Sequence, residues 1–133
     1  MKDFAGTGAM SQSASQASAF FEEAVHSQVV WTLRDRDGIP APQNEDGRRA
    51  MPFWSTEARV KRLISTVPSY AGFEPESIPL KTWRDRWLPG LRRDSLLVGL
   101  NWTGARATGY DLEPASVVDR LALAERPGPT ARQ

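Results

Sequence analysis

Cysteine is absent from this sequence, and histidine occurs only once. The 133 residues contain no cysteine, and the single histidine is His26. A chain without cysteine has no disulfide, no thiolate metal ligand and no cysteine nucleophile, and it is compatible with a reducing cytosol. A lone histidine lacks the partners that a general base or a zinc ligand normally needs. We therefore expect no metal and no cofactor, and we expect that His26 merely lies near a helix C-terminus, where a cation is favourable.

Long apolar runs are also absent. No run reaches the length of a membrane-spanning helix, and the start of the chain, MKDFAGTGAM, is not followed by the apolar stretch of a signal peptide. We expect a cytoplasmic protein with no membrane partner. The formal net charge of +1 gives no overall field that favours nucleic acid. The charge is uneven, however, because residues 48–93 carry 10 basic and 4 acidic side chains.

The sequence contains none of the common catalytic signatures. No serine lies in a GxSxG motif, and Gly99, Gly104 and Gly109 have a spacing that matches neither a phosphate-binding loop nor a dinucleotide fingerprint. Adjacent acids such as Glu45 and Asp46 are normally solvated in a turn. The sequence does not exclude an enzyme, but it favours a protein without enzymatic activity.

The fold prediction rests on one apolar segment, residues 95–102 (SLLVGLNW). Its apolar residues do not alternate with polar ones, which is typical of a strand covered on both faces. We predict that it is the central strand of a single α+β domain, with a mostly antiparallel sheet of four to five strands packed with three to four helices. The domain is predicted to span residues 13–125, between disordered tails at 1–12 and 126–133.

Periodicity and turn signals place the other elements. Helices are predicted from Ser13 or Ser15 to Ser27, from an N-cap at Ser55 to residue 67, over residues 80–88 before Pro89-Gly90, and from Pro114 onward. Strands are predicted at 29–33, 49–54, 76–78 and 107–111. Two prolines in residues 39–43 make that segment an edge strand or an irregular one.

A cluster of polar residues follows the central strand and is the candidate ligand site. Loops at strand ends often carry function, and Arg106 can hold a carboxylate or phosphate through two hydrogen bonds. This hypothesis predicts a pocket lined by Trp54 or Trp102, with Arg106 at its mouth. Turn chemistry and an ion pair between Arg106 and Asp111 would equally explain the cluster. The candidate binding residues are Asn101, Trp102, Arg106, Tyr110, Asp111 and Trp54.

The basic segment 81–93 (KTWRDRWLPGLRR) allows two interpretations. Two tryptophans among five basic residues can stack bases and contact phosphates in a single-stranded nucleic acid. Alternatively, Trp83 and Trp87 share a helical face that packs on the sheet, and the arginines lie in water. We favour the second interpretation. The candidate interaction surface then consists of Arg84, Arg86, Arg92 and Arg93.

Several short segments together resemble a known family. They are residues 31–33 (WTL) with 37–38 (DG), 51–55 (MPFWS), 73–75 (FEP), 87–91 (WLPGL) and 97–102 (LVGLNW). In this order, over about residues 18–123, the chain resembles a family of small bacterial proteins known as domain of unknown function 2750. The resemblance implies an α+β domain and a bacterial, cytoplasmic setting. It implies no activity or cofactor and supplies no catalytic residue.

We expect a non-enzymatic interaction or regulatory module that binds another protein or itself. The basic and aromatic character of residues 48–62 and 81–93 would complement a soluble partner with an acidic face. One version, by analogy with small bacterial α+β immunity proteins, is the neutralisation of a toxin. The alternative is a small-molecule-binding domain or enzyme that uses residues 101–111. Nucleic-acid binding through the tryptophan and arginine segment ranks third.

Overall fold

A computed structural model of the chain describes residues 2–126, with side chains from residue 14 onward. The helices are α1 (Lys2–Ser27), α2 (Glu57–Thr66), α3 (Leu80–Thr82), α4 (Leu88–Arg93) and α5 (Pro114–Ala124). The strands are β1 (Val29–Arg34), β2 (Ala50–Phe53), β3 (Glu74–Pro79), β4 (Leu97–Thr103) and β5 (Thr108–Leu112). A 3-10 helix (Pro68–Tyr70) follows α2, and a π-helical segment (Trp83–Trp87) joins α3 to α4. The α+β prediction is confirmed.

The tails predicted at residues 1–12 and 126–133 are not tested. Side chains before residue 14 and all of residues 127–133 lie outside the described part of the chain. No helix in the described part is long and apolar enough to cross a membrane.

The strands form two sheets instead of the single sheet that the sequence predicts. One sheet pairs β1 with β3 in antiparallel fashion. The other has the order β2-β4-β5, in which β2 is parallel and β5 antiparallel to β4. The antiparallel pairs are in the majority, as predicted.

Within the described residues, a single backbone bridge joins the two sheets, and a proline prevents its extension. Trp31 and Trp54 exchange both backbone hydrogen bonds, each of 2.7 Å. The next hydrogen-bonded position along an antiparallel ladder would need the N–H of Pro52, which does not exist. The carbonyl of Pro52 instead accepts from the hydroxyl of Thr32 at 2.8 Å. The ladder between β1 and β2 therefore stops after one bridge.

Strand β4 is the central strand that the sequence predicts, with every residue from 97 to 102 buried. It separates two hydrophobic clusters. One face packs against α1, α5 and the helical stretch 80–93. The largest fully buried residues of this cluster are Phe20, Phe53, Leu80, Trp83, Leu88, Leu100 and Leu121. The other cluster lies under α2 and contains Leu33, Trp54, Val60, Leu63, Val67, Tyr70, Leu97 and Trp102.

A bulge in β4 changes which face its side chains occupy. The register with β5 shifts between Leu100 and Thr103, and Asn101 has a left-handed backbone with φ of 51°. An extra residue in a strand interrupts the alternation of side chains. Trp102 therefore packs in the cluster that contains Leu97, although strict alternation would place it with Leu100. The bulge turns Trp102 toward the candidate ligand site.

Three helix boundaries differ from the sequence prediction. Helix α1 begins at Lys2 and not at Ser13 or Ser15. Pro89 and Gly90 do not end the third predicted helix, which continues to Arg93. The N–H of Leu88 already bonds the carbonyl of Trp83 in the wide π turn, and Pro89 lies in the first turn of α4, where a missing N–H costs little. The N-cap of α2 is Thr56 and not Ser55, because the Thr56 hydroxyl accepts from the Arg59 N–H at 3.2 Å.

The segment 39–43 forms no strand and takes the irregular alternative. It is held to the following chain by a bridge between Gln43 and Arg49.

Candidate functional site

An open cleft of about 1140 Å³ lies at the end of β4. One wall is the loop of residues 42–46, and the opposite wall is the turn of residues 103–109 between β4 and β5. Its floor consists of the buried side chains Val67, Tyr70, Leu97 and Trp102, and Gln16 of α1 lies at its rim. We call this feature the strand-end cleft.

The floor is fixed by two tryptophans that are linked through the backbone. The indole N–H of Trp54 donates to the carbonyl of Trp102 at 2.8 Å, and the indole N–H of Trp102 donates to Asp111 at 2.9 Å. The ring of Trp102 lies against Gly99 and Gly109, where a Cβ atom would come within 2.5 Å and 2.8 Å of it. Trp54 is fully buried behind Trp102, outside the cleft lining.

Asp111 links the floor of the cleft to its wall. Its second carboxylate oxygen accepts from the side-chain amide of Asn44 at 3.1 Å. The side-chain oxygen of Asn44 in turn accepts the backbone N–H groups of Asp46 at 2.9 Å and Arg48 at 3.0 Å, which shapes the loop. The proposed ion pair between Arg106 and Asp111 is not among the ion pairs of residues 14–126.

Arg106 and Tyr110 have different surroundings. Arg106 is exposed in the turn between β4 and β5 and lines the cleft. Tyr110 is 36% exposed and lies outside the cleft lining. The structure therefore brings together Trp102, Arg106 and Asp111, and separates Tyr110 from them.

Asn101 belongs to a different environment from its neighbour Trp102. It is buried, its side-chain oxygen accepts the backbone N–H of Ser55 at 3.0 Å, and its amide donates to the carbonyl of Gln16 at 3.3 Å. The left-handed backbone that the bulge requires is one that asparagine tolerates better than most residues. Its side chain is occupied by these bonds, so Asn101 positions α1 against β4 and does not face the cleft.

A polar network that the sequence did not predict continues from Asn101. Ser55 donates its hydroxyl to Glu23 of α1 at 2.6 Å. Arg59 of α2 donates to both oxygens of the same carboxylate, each at 2.9 Å. The sequence gives no signal for this network, because Glu23 lies 32 residues before Ser55 and 36 residues before Arg59 and no motif joins them.

The electrostatics of this network fit a structural role. The hydrogen bond from Arg59 lowers the pKa of Glu23 most strongly, the hydrogen bond from Ser55 also lowers it, and burial opposes both. The same pair raises the pKa of Arg59. A carboxylate that accepts three charge-assisted or hydroxyl hydrogen bonds is held in its ionised form and is a poor general base.

The basic segment has both tryptophans in the core. Trp83 is fully buried between Phe20 and Phe53, at ring distances of 5.5 and 5.2 Å. Trp87 is half-buried, and its ring meets Phe53 edge-on at 5.9 Å. The interpretation that these tryptophans pack on the sheet is confirmed. The ring of Trp83 is therefore not available to stack a base.

The four arginines of the candidate interaction surface are not equivalent. Arg84 is half-buried and forms an ion pair with Glu125, the residue that follows α5. Arg86, Arg92 and Arg93 are exposed. Arg84 therefore holds α5 to the helical stretch 80–93, and the other three are available to a partner.

A second concave feature lies between α4 and the start of α5. This α4–α5 groove has a volume of about 380 Å³. Its lining is mostly apolar and consists of Leu88, Pro89, Arg92, Arg93, Pro114, Ala115 and Val118. Val118 is 41% exposed. Among the described residues, no cluster of three or more acidic or histidine side chains is arranged to hold a metal ion.

Comparison with known protein families decides the assignment. A family model described as "Protein of unknown function (DUF2750)" matches residues 17–121. The chain belongs to the DUF2750 family. The DUF2750 match begins at Ala17, the first buried residue described in α1, and ends at Leu121 in α5. It contains the whole lining of the α4–α5 groove and all of the strand-end cleft's lining except Gln16. No curated protein and no solved structure matched the chain.

Proposed function

We propose that this DUF2750 domain is a non-enzymatic interaction module that binds an acidic, apolar segment of a partner protein in the α4–α5 groove. The observation that carries the proposal is an apolar groove with two exposed arginines in its lining. The proposed setting is the cytoplasm of a bacterium, which the absence of cysteine fits.

The apolar part of the groove supplies an anchor point. Val118 is exposed on α5, and it faces the same groove as Leu88 and Pro89 of α4. Interfaces are commonly stabilised by one or two side chains that fill such a depression and exclude water. A volume of about 380 Å³ suits one or two large apolar side chains of a partner.

The charged part of the groove selects the partner. Arg92 takes part in no ion pair among residues 14–126, and Arg93 only approaches its neighbour Asp94 at 3.8 Å. Carboxylates next to an apolar anchor would pair with these guanidinium groups, and the positive field would speed the encounter of the two proteins. One such partner would be a toxin with an acidic surface, which the domain would neutralise by binding to it.

Selection from a library tests the proposal without a known partner. Random peptides of about 12 residues, long enough to fill a helix-binding groove, are displayed and selected against the folded domain. We expect enrichment of sequences in which large apolar residues are flanked by Asp and Glu. The selected peptides are then synthesised and measured by calorimetry against variants.

Two matched pairs of variants locate the binding site. Val118→Asp should abolish binding, whereas Leu123→Asp, on the same helix at 59% exposure and outside the groove, should not. Arg92→Glu should weaken binding by about tenfold or more, whereas Arg62→Glu on α2 should have little effect. Enrichment of basic peptides, or equal binding by Val118→Asp and Leu123→Asp, would contradict the proposal. If the domain forms a dimer and Val118→Asp converts it to a monomer, then the groove binds a second copy of the domain and not a different protein.

A further inference from the structure

We propose that the strand-end cleft is a separate binding site for a basic, extended peptide segment. The site shares no lining residue with the α4–α5 groove, so this inference is independent of the function proposed above. It rests on an unused polar group in the floor, on the charges of the two walls, and on the size of the cleft.

The unused polar group is the hydroxyl of Tyr70. The side chain is 9% exposed and lines the cleft, and its hydroxyl forms no hydrogen bond with any residue whose side chain the structure describes. Burial raises the pKa of Tyr70, so the phenol stays neutral and can both donate and accept. The ring is largely buried, but the hydroxyl is not among the fully buried unpartnered atoms of the described residues, so it is accessible from the cleft and can take a hydrogen-bond partner there. A ligand in the cleft would supply that partner.

The walls of the cleft carry more negative than positive charge. Glu45 and Asp46 are exposed on one wall, and neither forms an ion pair within residues 14–126. Asp111 adds a third carboxylate, and Arg106 on the other wall is the lone cationic side chain in the lining. Lysine or arginine side chains of a ligand would pair with the free carboxylates. Their aliphatic stems would lie on Trp102 and Tyr70.

The size of the cleft favours a chain segment over a compact small molecule. Typical small-molecule pockets have volumes of about 300–1000 Å³, and the strand-end cleft exceeds this range at about 1140 Å³. It is also open to solvent. An extended peptide has regularly spaced carbonyl groups, which Arg106 and the Tyr70 hydroxyl can bind as donors. The same peptide presents its basic side chains to Glu45 and Asp46.

The site is also rigid on one side. Within the turn, Gly104 has φ of 84° and Ala107 has φ of 52°, and alanine in this region is held there only by its surroundings. The indole of Trp102 is pinned by Asp111. Preformed walls reduce the entropy that a ligand must lose on binding.

The test uses an NMR titration of the isotope-labelled domain at low salt. The probe is the capped pentapeptide Ac-Lys-Ala-Lys-Ala-Lys-NH2, and the comparison ligands are Ac-Glu-Ala-Glu-Ala-Glu-NH2 and the free polyamine spermidine. We expect the basic peptide to shift the indole N–H signal of Trp102 and the amide signals of Arg106 and Ala107, with saturation at a Kd of about 0.1–1 mM. The acidic peptide should shift none of them.

Variants separate a local site from the general field of the protein. The double variant Glu45→Gln/Asp46→Asn should weaken binding of the basic peptide by about tenfold. The control Glu22→Gln/Asp37→Asn removes the same charge from exposed positions outside the cleft and should change affinity by less than about twofold. Tyr70→Phe, which removes only the hydroxyl, should weaken binding by about threefold to tenfold.

Three results would overturn the inference. They are the absence of any shift with the basic peptide, equal losses in the cleft variant and its charge-matched control, and binding of spermidine as tight as that of the peptide. The last result would assign the cleft to a free amine and not to a peptide. Each is distinguishable from failure of the α4–α5 groove, because Val118→Asp leaves every residue of the cleft in place.

Discussion

The indole N–H of Trp102 in β4 donates to the carboxylate of Asp111 in β5 at 2.9 Å, although the residue directly opposite Asp111 in the strand pair is Gly99. The other oxygen of Asp111 accepts from Asn44 at 3.1 Å. One carboxylate thus joins the core of the domain to the loop of residues 42–46. This loop has no regular secondary structure, and the side-chain bond from Asn44 to Asp111 adds to the backbone bonds that hold it to residues 48–50.

Replacement of Asp111 should destabilise the domain in a graded manner. Asp111→Ala leaves the indole N–H of Trp102 without an acceptor and should lower the free energy of unfolding by about 2 kcal/mol. Asp111→Asn keeps an acceptor for Trp102 but turns an NH2 group toward the NH2 of Asn44, which cannot flip because its oxygen is already bonded. We expect about half the loss in that variant. Urea unfolding of both proteins measures the order, and equal losses would contradict it.

Gly99 should not tolerate a methyl group. A Cβ atom at this position would lie 2.5 Å from the indole of Trp102, inside a strand that is buried on both faces. Since neither the ring nor β4 can move freely, Gly99→Ala should cost about 1–3 kcal/mol of stability.

Gly72 provides the matched control for this substitution. Gly72 lies in a loop, and no atom outside its immediate chain neighbours lies within 4 Å of the position that a Cβ atom would occupy. Gly72→Ala should be neutral or should stabilise the protein by up to about 1 kcal/mol, because alanine restricts the unfolded chain. Thermal unfolding compares the two variants, and equal melting temperatures would show that Trp102 yields to the added methyl.

The sequence predicts the fold well where one physical signal dominates. The apolar run 95–102 has a single low-energy solution, a strand buried on both faces, and β4 is that strand. The prediction fails where a contact with a residue distant in the sequence determines the local structure. Thr56 and Ser55 are equally good caps locally, and Ser55 is withdrawn from the cap because it bonds Glu23 and Asn101. No local signal reports that competition.

The same limit applies to the candidate site. Trp102 and Arg106 were predicted together and both line the cleft. Asn101 was predicted beside them, but a strand directs adjacent residues differently, and the bulge that decides which one faces the cleft depends on pairing with β5. Tyr70 was missed, because it reaches the cleft from a 3-10 helix that lies more than 30 residues away along the chain.

The relative stabilities of two Asn101 variants should reveal the left-handed backbone at this position. Both Asn101→Gly and Asn101→Ala remove the acceptor of the buried Ser55 N–H, which costs about 1–3 kcal/mol. The left-handed backbone costs alanine about 1–2 kcal/mol in addition, whereas the greater entropy of the unfolded chain costs glycine about 0.5–1 kcal/mol. Asn101→Gly should therefore be the more stable variant by about 0.5–1 kcal/mol. A more stable Asn101→Ala would mean that the bulge relaxes.

The pair of Glu23 and Arg59 should contribute a pH-dependent part of the stability. The pKa of Glu23 lies below its usual value of 4.5 in the folded protein, chiefly because of the Arg59 hydrogen bond. The unfolded chain therefore takes up a proton first as the pH falls, so the contribution is complete above about pH 4.5 and is lost at lower pH. The side chains of Arg59 and Glu23 are 34% and 36% exposed, which limits the coupling to about 0.5–1 kcal/mol after screening by solvent.

A double-mutant cycle isolates this contribution from every other acid in the protein. Glu23→Gln, Arg59→Gln and the double variant are unfolded with urea between pH 7 and pH 3, and the coupling free energy is obtained at each pH. We expect a constant coupling from pH 7 to about pH 5 and a decline toward zero below the usual pKa of Glu23. Added salt should reduce the coupling at pH 7 only in part, because the two hydrogen bonds remain. A coupling that increases in acid would contradict the assignment, since protonation of Glu23 removes the charge that Arg59 binds.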